Sequence, residues 1–247
     1  MYMDGWCNGM GTMKTIVLSL GGSVLVPSLE SNNIARYAPV LRAIAATAHL
    51  FVVVGGGGEA RRYIGAARGI GFDEASADEL GIMVTRLNAR LLIGGLEDAA
   101  YPRVAETYTE AKEYAASGKI VVMGGVAPAQ TTDAVAAVLA ESTGAELIVN
   151  CTSVDGIYSA DPKKYASAVR HAQISPKQLL EIIQGDRLSA GCNTVFDVVA
   201  AKVVERSGIS LLVIDGRDPE ILRKAVLEGS VEGTIVNDGR GICLPLR

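Results

Sequence analysis

The chain has 247 residues, of which 49% are hydrophobic and 5% aromatic, and its formal net charge is −4. A core of Val, Ile, Leu and Ala is typical of buried parallel strands and predicts an α/β fold. The acidic balance without a run of basic residues excludes a nucleic-acid partner, and the absence of about eighteen consecutive apolar residues excludes a membrane partner.

Residues 1–12 show no hydrophobic periodicity and lack the basic start and apolar run of a signal peptide. We expect them to be a disordered leader, either an upstream start or an expression remnant before Met13. The cysteines are far apart and there are only two histidines, so no metal-ligand cluster is predicted and a reducing cytoplasmic location is expected. The cysteines are Cys7, Cys151, Cys192 and Cys243.

Two units of strand, glycine turn and helix open the chain. The apolar run at 14–20 predicts a strand that ends at the glycine turn 21–23, and Ser31 is the predicted cap of a helix that runs towards Ala48. A second predicted strand, 50–54, is followed by four glycines at 55–58 and a helix over 59–69. Both turns lie where a parallel strand ends, so the glycines are expected on one edge of the sheet.

Four consecutive glycines carry a large entropic cost, so this backbone needs either positive φ or very close approach to another group. Exposed N–H groups at the start of a helix bind phosphate, and Arg61 and Arg62 would reinforce such a site. A simple tight turn is the alternative. The spacing of Gly55, Gly57 and Ala60 also fits the G-x-G-x-x-A pattern of a nicotinamide oxidoreductase.

The middle of the chain repeats this organisation. Apolar residues at helical spacing predict a long helix over 73–96 that packs on the sheet or on a second subunit. A strand over 119–123 ends at the glycine pair 124–125, and a helix over 133–142 follows. This gives a third glycine turn of the phosphate-binding type.

The last part of the chain predicts two more buried strands and three helices. The strands are expected at 146–150 and 210–214, and the helices after Ser175-Pro176, over 194–206 and after Asp218-Pro219. Together the elements predict an α/β three-layer αβα sandwich with a mostly parallel central sheet. We expect residues 13–247 to form a single domain.

Three glycine turns exceed the single fingerprint that a dinucleotide needs, and the richest follows the second strand. Two phosphorylated substrates that meet head to head would use the surplus, which indicates phosphoryl transfer. The sequence has no G-x-x-x-x-G-K-[ST], H-R-D or D-F-G motif, so it is neither a P-loop enzyme nor a protein kinase.

Six motifs occur in the order seen in the amino-acid-kinase family: SLGGSVL, VVVGGGGEARRYI, DELGIMVTRLNA, VMGGVAPAQTTDAVAA, TSVDGIYSADPKK and VFDVVAAK. From Met13 to about Val236 the chain resembles the archaeal-type UMP kinases of this family. The segments QTTDAVAA and TSVDGIYSADP together carry the specificity. The resemblance implies the amino-acid-kinase fold, transfer of the γ-phosphoryl group of ATP to UMP with Mg²⁺, and a homo-oligomer, specifically a hexamer.

The resemblance also implies the roles of individual residues, in an acceptor half up to about residue 140 and an ATP half after it. The expected ATP-binding residues are Gly21, Gly22, Ser23, Gly56, Arg61, Thr152, Ser153, Tyr158 and Asp161; Arg61 is also expected to face the UMP side. The expected UMP-binding residues are Gly55, Asp78, Val126, Ala127, Pro128, Ala129, Gln130, Thr131 and Thr132. The expected catalytic residues are Lys164 and Asp133.

Several alternatives stay open at the level of sequence. Many relatives carry a lysine where this chain has Ser19, so the number of catalytic cations is reduced. Asp197 is expected either to orient a lysine or to anchor a helix. Isopentenyl phosphate kinase and carbamate kinase are rivals within the family, although EARRYI lacks the histidine of the isopentenyl phosphate enzymes. A nicotinamide oxidoreductase and a non-catalytic nucleotide sensor are rivals outside it.

Overall fold

The computed structural model describes residues 13–160, 162, 164, 165, 167–187, 196–239, 244 and 245. The predicted leader 1–12 and the expected ATP-binding residue Asp161 lie outside these ranges. Cys7, Cys192 and Cys243 lie outside them as well, and Cys151 is a buried free thiol.

The described residues form one seven-stranded sheet in the order β3-β2-β1-β4-β6-β7-β5. The strands are β1 (Lys14–Leu20), β2 (Ala48–Val54), β3 (Val121–Met123), β4 (Leu147–Thr152), β5 (Gln173–Ile174), β6 (Ser210–Asp215) and β7 (Gly233–Val236). The first five strands in this order are parallel, and β7 pairs antiparallel with β6. The carboxyl ends of β3, β2, β1 and β4 therefore lie side by side.

Helices cover both faces of the sheet. They are α1 (Gly22–Leu25), α2 (Ile34–Ala45), α3 (Gly57–Gly69), α4 (Glu74–Leu96), α5 (Tyr108–Ala115), α6 (Thr132–Thr143), α7 (Pro176–Arg187), α8 (Val198–Ser207) and α9 (Pro219–Arg223). A 3₁₀ turn spans Glu97–Ala99 and a π turn Lys224–Glu228. No helix in the described ranges is both long enough and apolar enough to cross a lipid bilayer.

Alternation along the strands divides the interior into two apolar cores. Ile16, Leu18 and Leu20 of β1 belong to the core under α1, α2, α4 and α9. Val17 belongs to the opposite core, which is covered by α5, α6, α7 and α8. Side chains of a strand point alternately to the two faces of a sheet, so β1 is buried on both sides. The predicted three-layer αβα sandwich with a mostly parallel sheet is confirmed.

Several short elements were not predicted, among them α1 and the 3₁₀ and π turns. Strands β5 and β7 have only two and four residues, too few to show a period, and they pair at the edge of the sheet. Helix α5 is short, but a capping box between Thr107 and Glu110 fixes its start.

Three predicted helix starts are wrong by a few residues, and the first is that of α3, which begins at Gly57 rather than at 59. Helix α2 begins at Ile34, because Ser31 lies in a bend before its N-terminus. Helix α8 begins at Val198, because the carboxylate of Asp197 accepts the N–H groups of Val199 and Ala200. The predicted start of this helix, Thr194, lies outside the described residues.

Candidate active site at the carboxyl edge of the sheet

The glycine turns after β1 and β2 pack directly against each other. A Cβ on Gly22 would lie 2.2 Å from the amide nitrogen of Gly57 and 2.4 Å from the carbonyl oxygen of Gly55. A Cβ on Gly55 would lie 2.6 Å from the amide nitrogen of Gly22. These distances are far below any real contact, so close backbone approach between the two turns requires their glycines. The expected ATP-side and UMP-side turns are thus in mutual contact.

The glycines at 56, 57 and 58 differ in whether the structure requires a residue without a side chain. A Cβ on Gly56 would lie 2.4 Å from the Cβ of Ala60, within the first turn of α3. A Cβ on Gly58 would meet nothing closer than the carbonyl oxygen of Pro27 at 3.7 Å, so packing does not require this glycine. Gly57 has a φ of +66°, which favours glycine on conformational grounds alone.

The glycine pair after β3 packs tightly against α4, which gives it a structural reason that the sequence did not show. A Cβ on Gly124 would lie 2.6 Å from the hydroxyl oxygen of Thr85 on α4. That hydroxyl accepts the N–H of Gly125 at 2.7 Å, and Arg86 donates to the carbonyl oxygen of Gly125 at 3.3 Å. The polar groups of Gly125 are therefore occupied by α4.

Helix α4 holds the β2 turn in the same way. Asn88 is 3% exposed, and its Nδ2 donates to the carbonyl oxygens of Gly55 at 3.0 Å and Gly56 at 3.3 Å. Sequence reasoning missed both Thr85 and Asn88. The sequence does contain a feature that could have indicated them: two polar residues lie three positions apart within the apolar face of the predicted helix 73–96. Such a pattern is typical of a buried polar contact.

Ser19 and Asp133 join β1 to the start of α6. The buried hydroxyl of Ser19 donates to Oδ1 of Asp133 at 2.8 Å. Burial raises the pKa of Asp133 to about 6; the Ser19 hydrogen bond opposes this rise and the nearby carboxylate of Asp197 adds to it. Of the two expectations for Asp197, helix anchoring is supported, because Oδ1 of Asp197 accepts the N–H groups of Val199 and Ala200 at the start of α8.

Asn150 lies beside Ser19 on the neighbouring strand. The two residues are paired in the register of β1 and β4, so their side chains share the face covered by α6 and α8. Asn150 is 2% exposed, and its Nδ2 has no hydrogen-bond partner among the described residues. A buried donor without a partner costs about 1–3 kcal/mol.

The expected UMP loop, 126–132, is held at both ends. Oδ2 of Asp78 on α4 accepts the N–H of Ala129 at 2.8 Å, and Ala129 has a φ of +60°, which is uncommon for a residue with a Cβ. Thr131 caps α6 by accepting the N–H of Ala134, with Thr132 as the first helical residue. Asp78 and the loop, predicted separately for the UMP side, are thus brought together. Val126, Ala127 and Gln130 are half-buried, and Pro128 is exposed.

On the expected ATP side, the loop after β4 is attached to β6 and to its own return. The carbonyl oxygen of Thr152 accepts the N–H of Gly216 at 2.7 Å. The hydroxyl of Tyr158 donates to Asp155 at 3.0 Å, and Arg170 pairs with the same carboxylate at 3.1 Å. The Tyr158 hydroxyl is therefore engaged within the loop.

The remaining predicted residues differ in accessibility. The N–H of Gly21 donates to the carbonyl oxygen of Cys151 at 3.0 Å and is therefore occupied. Ser23, Ser153 and Lys164 are exposed. Arg61 is also exposed, whereas its neighbour Arg62 pairs with Glu59 at 3.0 Å.

A metal ion could find oxygen ligands at this edge but not a complete cage. Among the described residues, no group of three or more His, Cys, Asp or Glu side chains could hold a metal ion. Asp133 and Asp197 together present two carboxylates. One or two carboxylates plus substrate phosphates are the usual ligands of Mg²⁺.

Comparison with known proteins identifies the family of this chain. The sequence model of the amino acid kinase family matches residues 14–215. The uridylate kinase of Methanoculleus marisnigri is 70% identical over 94% of this chain and 100% of its own, and that of Methanocorpusculum labreanum is 60% identical over 92% and 97%. The crystal structure of uridylate kinase from Archaeoglobus fulgidus matches with a TM-score of 0.81, at 46% identity over 91% of this chain and 100% of that one. The chain belongs to the amino acid kinase family.

Proposed function

We propose that this protein is a kinase that transfers the γ-phosphoryl group of ATP to UMP, giving ADP and UDP. The observation that carries the proposal is the contact between the two glycine turns, Gly22 against Gly55 and Gly57, beside an acceptor loop held by Asp78. Two phosphate-binding turns in contact suit two phosphorylated substrates whose reacting ends must meet. The match with the relatives named uridylate kinase extends over nearly the whole length of those relatives. This similarity supports UMP as the acceptor.

The chemistry requires positioning and positive potential more than a general base. The acceptor phosphate is already anionic at pH 7, so no proton must be removed from it. The glycine N–H groups bind phosphate oxygens, and Lys164 stabilises the charge that develops as the bond to the leaving group breaks. Asp133 keeps its carboxylate at the centre of this edge through its hydrogen bond with Ser19.

We propose Mg²⁺ as the ion that accompanies ATP, with Asp133 and Asp197 as the carboxylates that would face it. When bound, the ion neutralises phosphate charge and polarises the transferred group. The two carboxylates place negative charge where phosphates are expected, so a cation between them and the nucleotide would remove the repulsion.

A coupled assay of ADP formation with UMP, CMP, isopentenyl phosphate and carbamate as acceptors tests the proposal. UMP is expected to give the highest kcat/KM, and another acceptor giving the highest value would contradict it. Titration with NADH, ATP and UMP separates the rivals outside the family. Binding of NADH without ATP would support an oxidoreductase, and binding of ATP and UMP without ADP formation would support a sensor.

We also propose that the protein is a cytoplasmic homo-oligomer, a hexamer by its resemblance to UMP kinases. Met83, Leu87 and Leu91 repeat every four residues on α4 and are 57%, 64% and 46% exposed. An apolar stripe of this kind is typical of a subunit contact. Leu87→Lys is expected to reduce the molar mass measured by light scattering, and a monomeric wild-type protein would contradict the proposal.

A further inference from the structure

Asn88 uses both N–H groups of its amide on one turn. The side chain is 3% exposed on α4, and Nδ2 lies 3.0 Å from the carbonyl oxygen of Gly55 and 3.3 Å from that of Gly56. These carbonyl groups belong to the two consecutive peptide units that connect β2 to α3. The amide therefore fixes the orientation of both units at once.

The orientation of those carbonyl groups determines where the N–H groups point. In a trans peptide the N–H points opposite to the C=O of the same unit. Because the carbonyl oxygens of Gly55 and Gly56 face α4, the N–H groups of Gly56 and Gly57 face away from α4. Neither N–H has an acceptor among the described residues.

The local backbone has the form of an anion-binding concavity. Gly56 is in the right-handed helical region, with φ −84° and ψ −24°, and Gly57 follows with φ +66°. A right-handed residue followed by a left-handed one turns successive N–H groups toward a common point, which binds anions. Helix α3 begins at Gly57 and adds the positive end of its dipole.

We propose that Asn88 is a positioning residue that keeps these two N–H groups directed at the phosphate groups of the substrates. Without the amide, two buried carbonyl oxygens lose their donor, and rotation of either peptide unit would direct a carbonyl oxygen at the phosphates instead. This role deepens the proposed function and rests on it.

Asn88→Leu and Asn88→Asp test the proposal. Leucine has a similar volume and no donor, whereas aspartate is isosteric and presents carboxylate oxygens to two carbonyl oxygens. Because loss of one preorganised donor costs about 10²–10³ in kcat, we expect kcat to fall at least about 10²-fold in Asn88→Leu and further in Asn88→Asp. Calorimetry is expected to show at least about tenfold weaker binding of UMP and unchanged binding of uridine, which has no phosphate.

Leu92→Ala is the matched control. Leu92 is fully buried one turn further along α4, and its side chain has no hydrogen-bond donor for the glycine turn, so its truncation destabilises the same helix without removing such a donor. We expect Leu92→Ala to lower the unfolding temperature and to retain the wild-type ratio of UMP affinity to uridine affinity. If Asn88→Leu does not fold, Asn88→Ser, which is too short to reach both carbonyl oxygens, is measured in its place.

A folded Asn88 variant with wild-type kcat and an unchanged UMP-to-uridine affinity ratio would overturn the proposal, since a purely structural role predicts lower stability alone. Failure of the proposed function has a different result: the wild-type protein would not phosphorylate UMP. The affinities of ATP and adenosine would then test Asn88 in the same way.

Discussion

Replacing Asp133 with asparagine is expected to make the protein more stable and less active. Folding raises the pKa of this carboxyl from 3.8 to about 6, mainly through burial. The folded state therefore takes up a proton between about pH 6 and 3.8 that the unfolded chain does not bind. The penalty for a buried charge is present in full above pH 6 and disappears as the pH falls towards 4.

The size of the effect follows from these two pKa values. At about 1.4 kcal/mol per unit of pKa, the difference between 3.8 and about 6 corresponds to a loss of about 3 kcal/mol in the free energy of unfolding at pH 8. The side chain keeps some solvent contact, and asparagine loses about 0.5 kcal/mol of favourable charge at the N-terminus of α6, so we expect a net gain of about 1–2 kcal/mol. Asparagine can still accept the hydroxyl hydrogen of Ser19 through its amide oxygen.

Urea unfolding of wild-type and Asp133→Asn proteins from pH 4 to pH 8 measures this directly. The variant is expected to have the larger free energy of unfolding at pH 8, and the difference is expected to vanish near pH 4. Its kcat for UMP is expected to fall, because the variant loses a charge at the reacting edge. Equal stability of the two proteins at every pH would refute the assignment of a buried, destabilising charge to this position.

Four further substitutions test other parts of the site. Gly22→Ala is expected to cost about 3 kcal/mol or more in urea unfolding, since its Cβ would lie 2.2 Å from a backbone nitrogen that cannot move aside; a cost below about 1 kcal/mol would contradict the contact between the turns. Asp78→Ala is expected to raise KM for UMP much more than it lowers kcat, because it releases the acceptor loop; an unchanged KM would remove Asp78 from the site. Lys164→Met is expected to lower kcat about 10²-fold with little change in KM, while the control Lys163→Met keeps most activity, and the reverse pattern would mean that the other lysine acts. Asn150→Val is expected to raise the free energy of unfolding by about 1 kcal/mol, since it removes an unpartnered buried donor, and lower stability would show that the amide has a partner.

The local sequence was sufficient to predict most of the fold. The run of residues 14–20 gave the bounds of β1, and Asp218-Pro219 marked the start of α9, because apolar periodicity and capping act over a few neighbouring residues. Strands β5 and β7 could not be predicted in this way, since their pairing depends on the edge of a sheet that other elements create.

For the candidate site as well, part could be predicted from the sequence and part could not. The motifs place the glycine turns and the acceptor loop in the sequence, but not the contacts between them. The Ser19 hydroxyl meets Asp133, 114 positions further along the chain, and Asp78 meets Ala129, 51 positions away. Such pairs form only when the parallel strands bring their carboxyl ends to one edge.

The sequence by itself determined that glycine is needed after β2, because a large entropic cost indicates a backbone constraint. Only the tertiary structure decided which constraint acts on each one. Gly55 and Gly57 are required by the opposing turn at Gly22, whereas a Cβ on Gly58 would make only an ordinary contact with Pro27. The reason is physical: a close approach between two backbones depends on the position of both, and the sequence of one turn contains no information about its distance to the other.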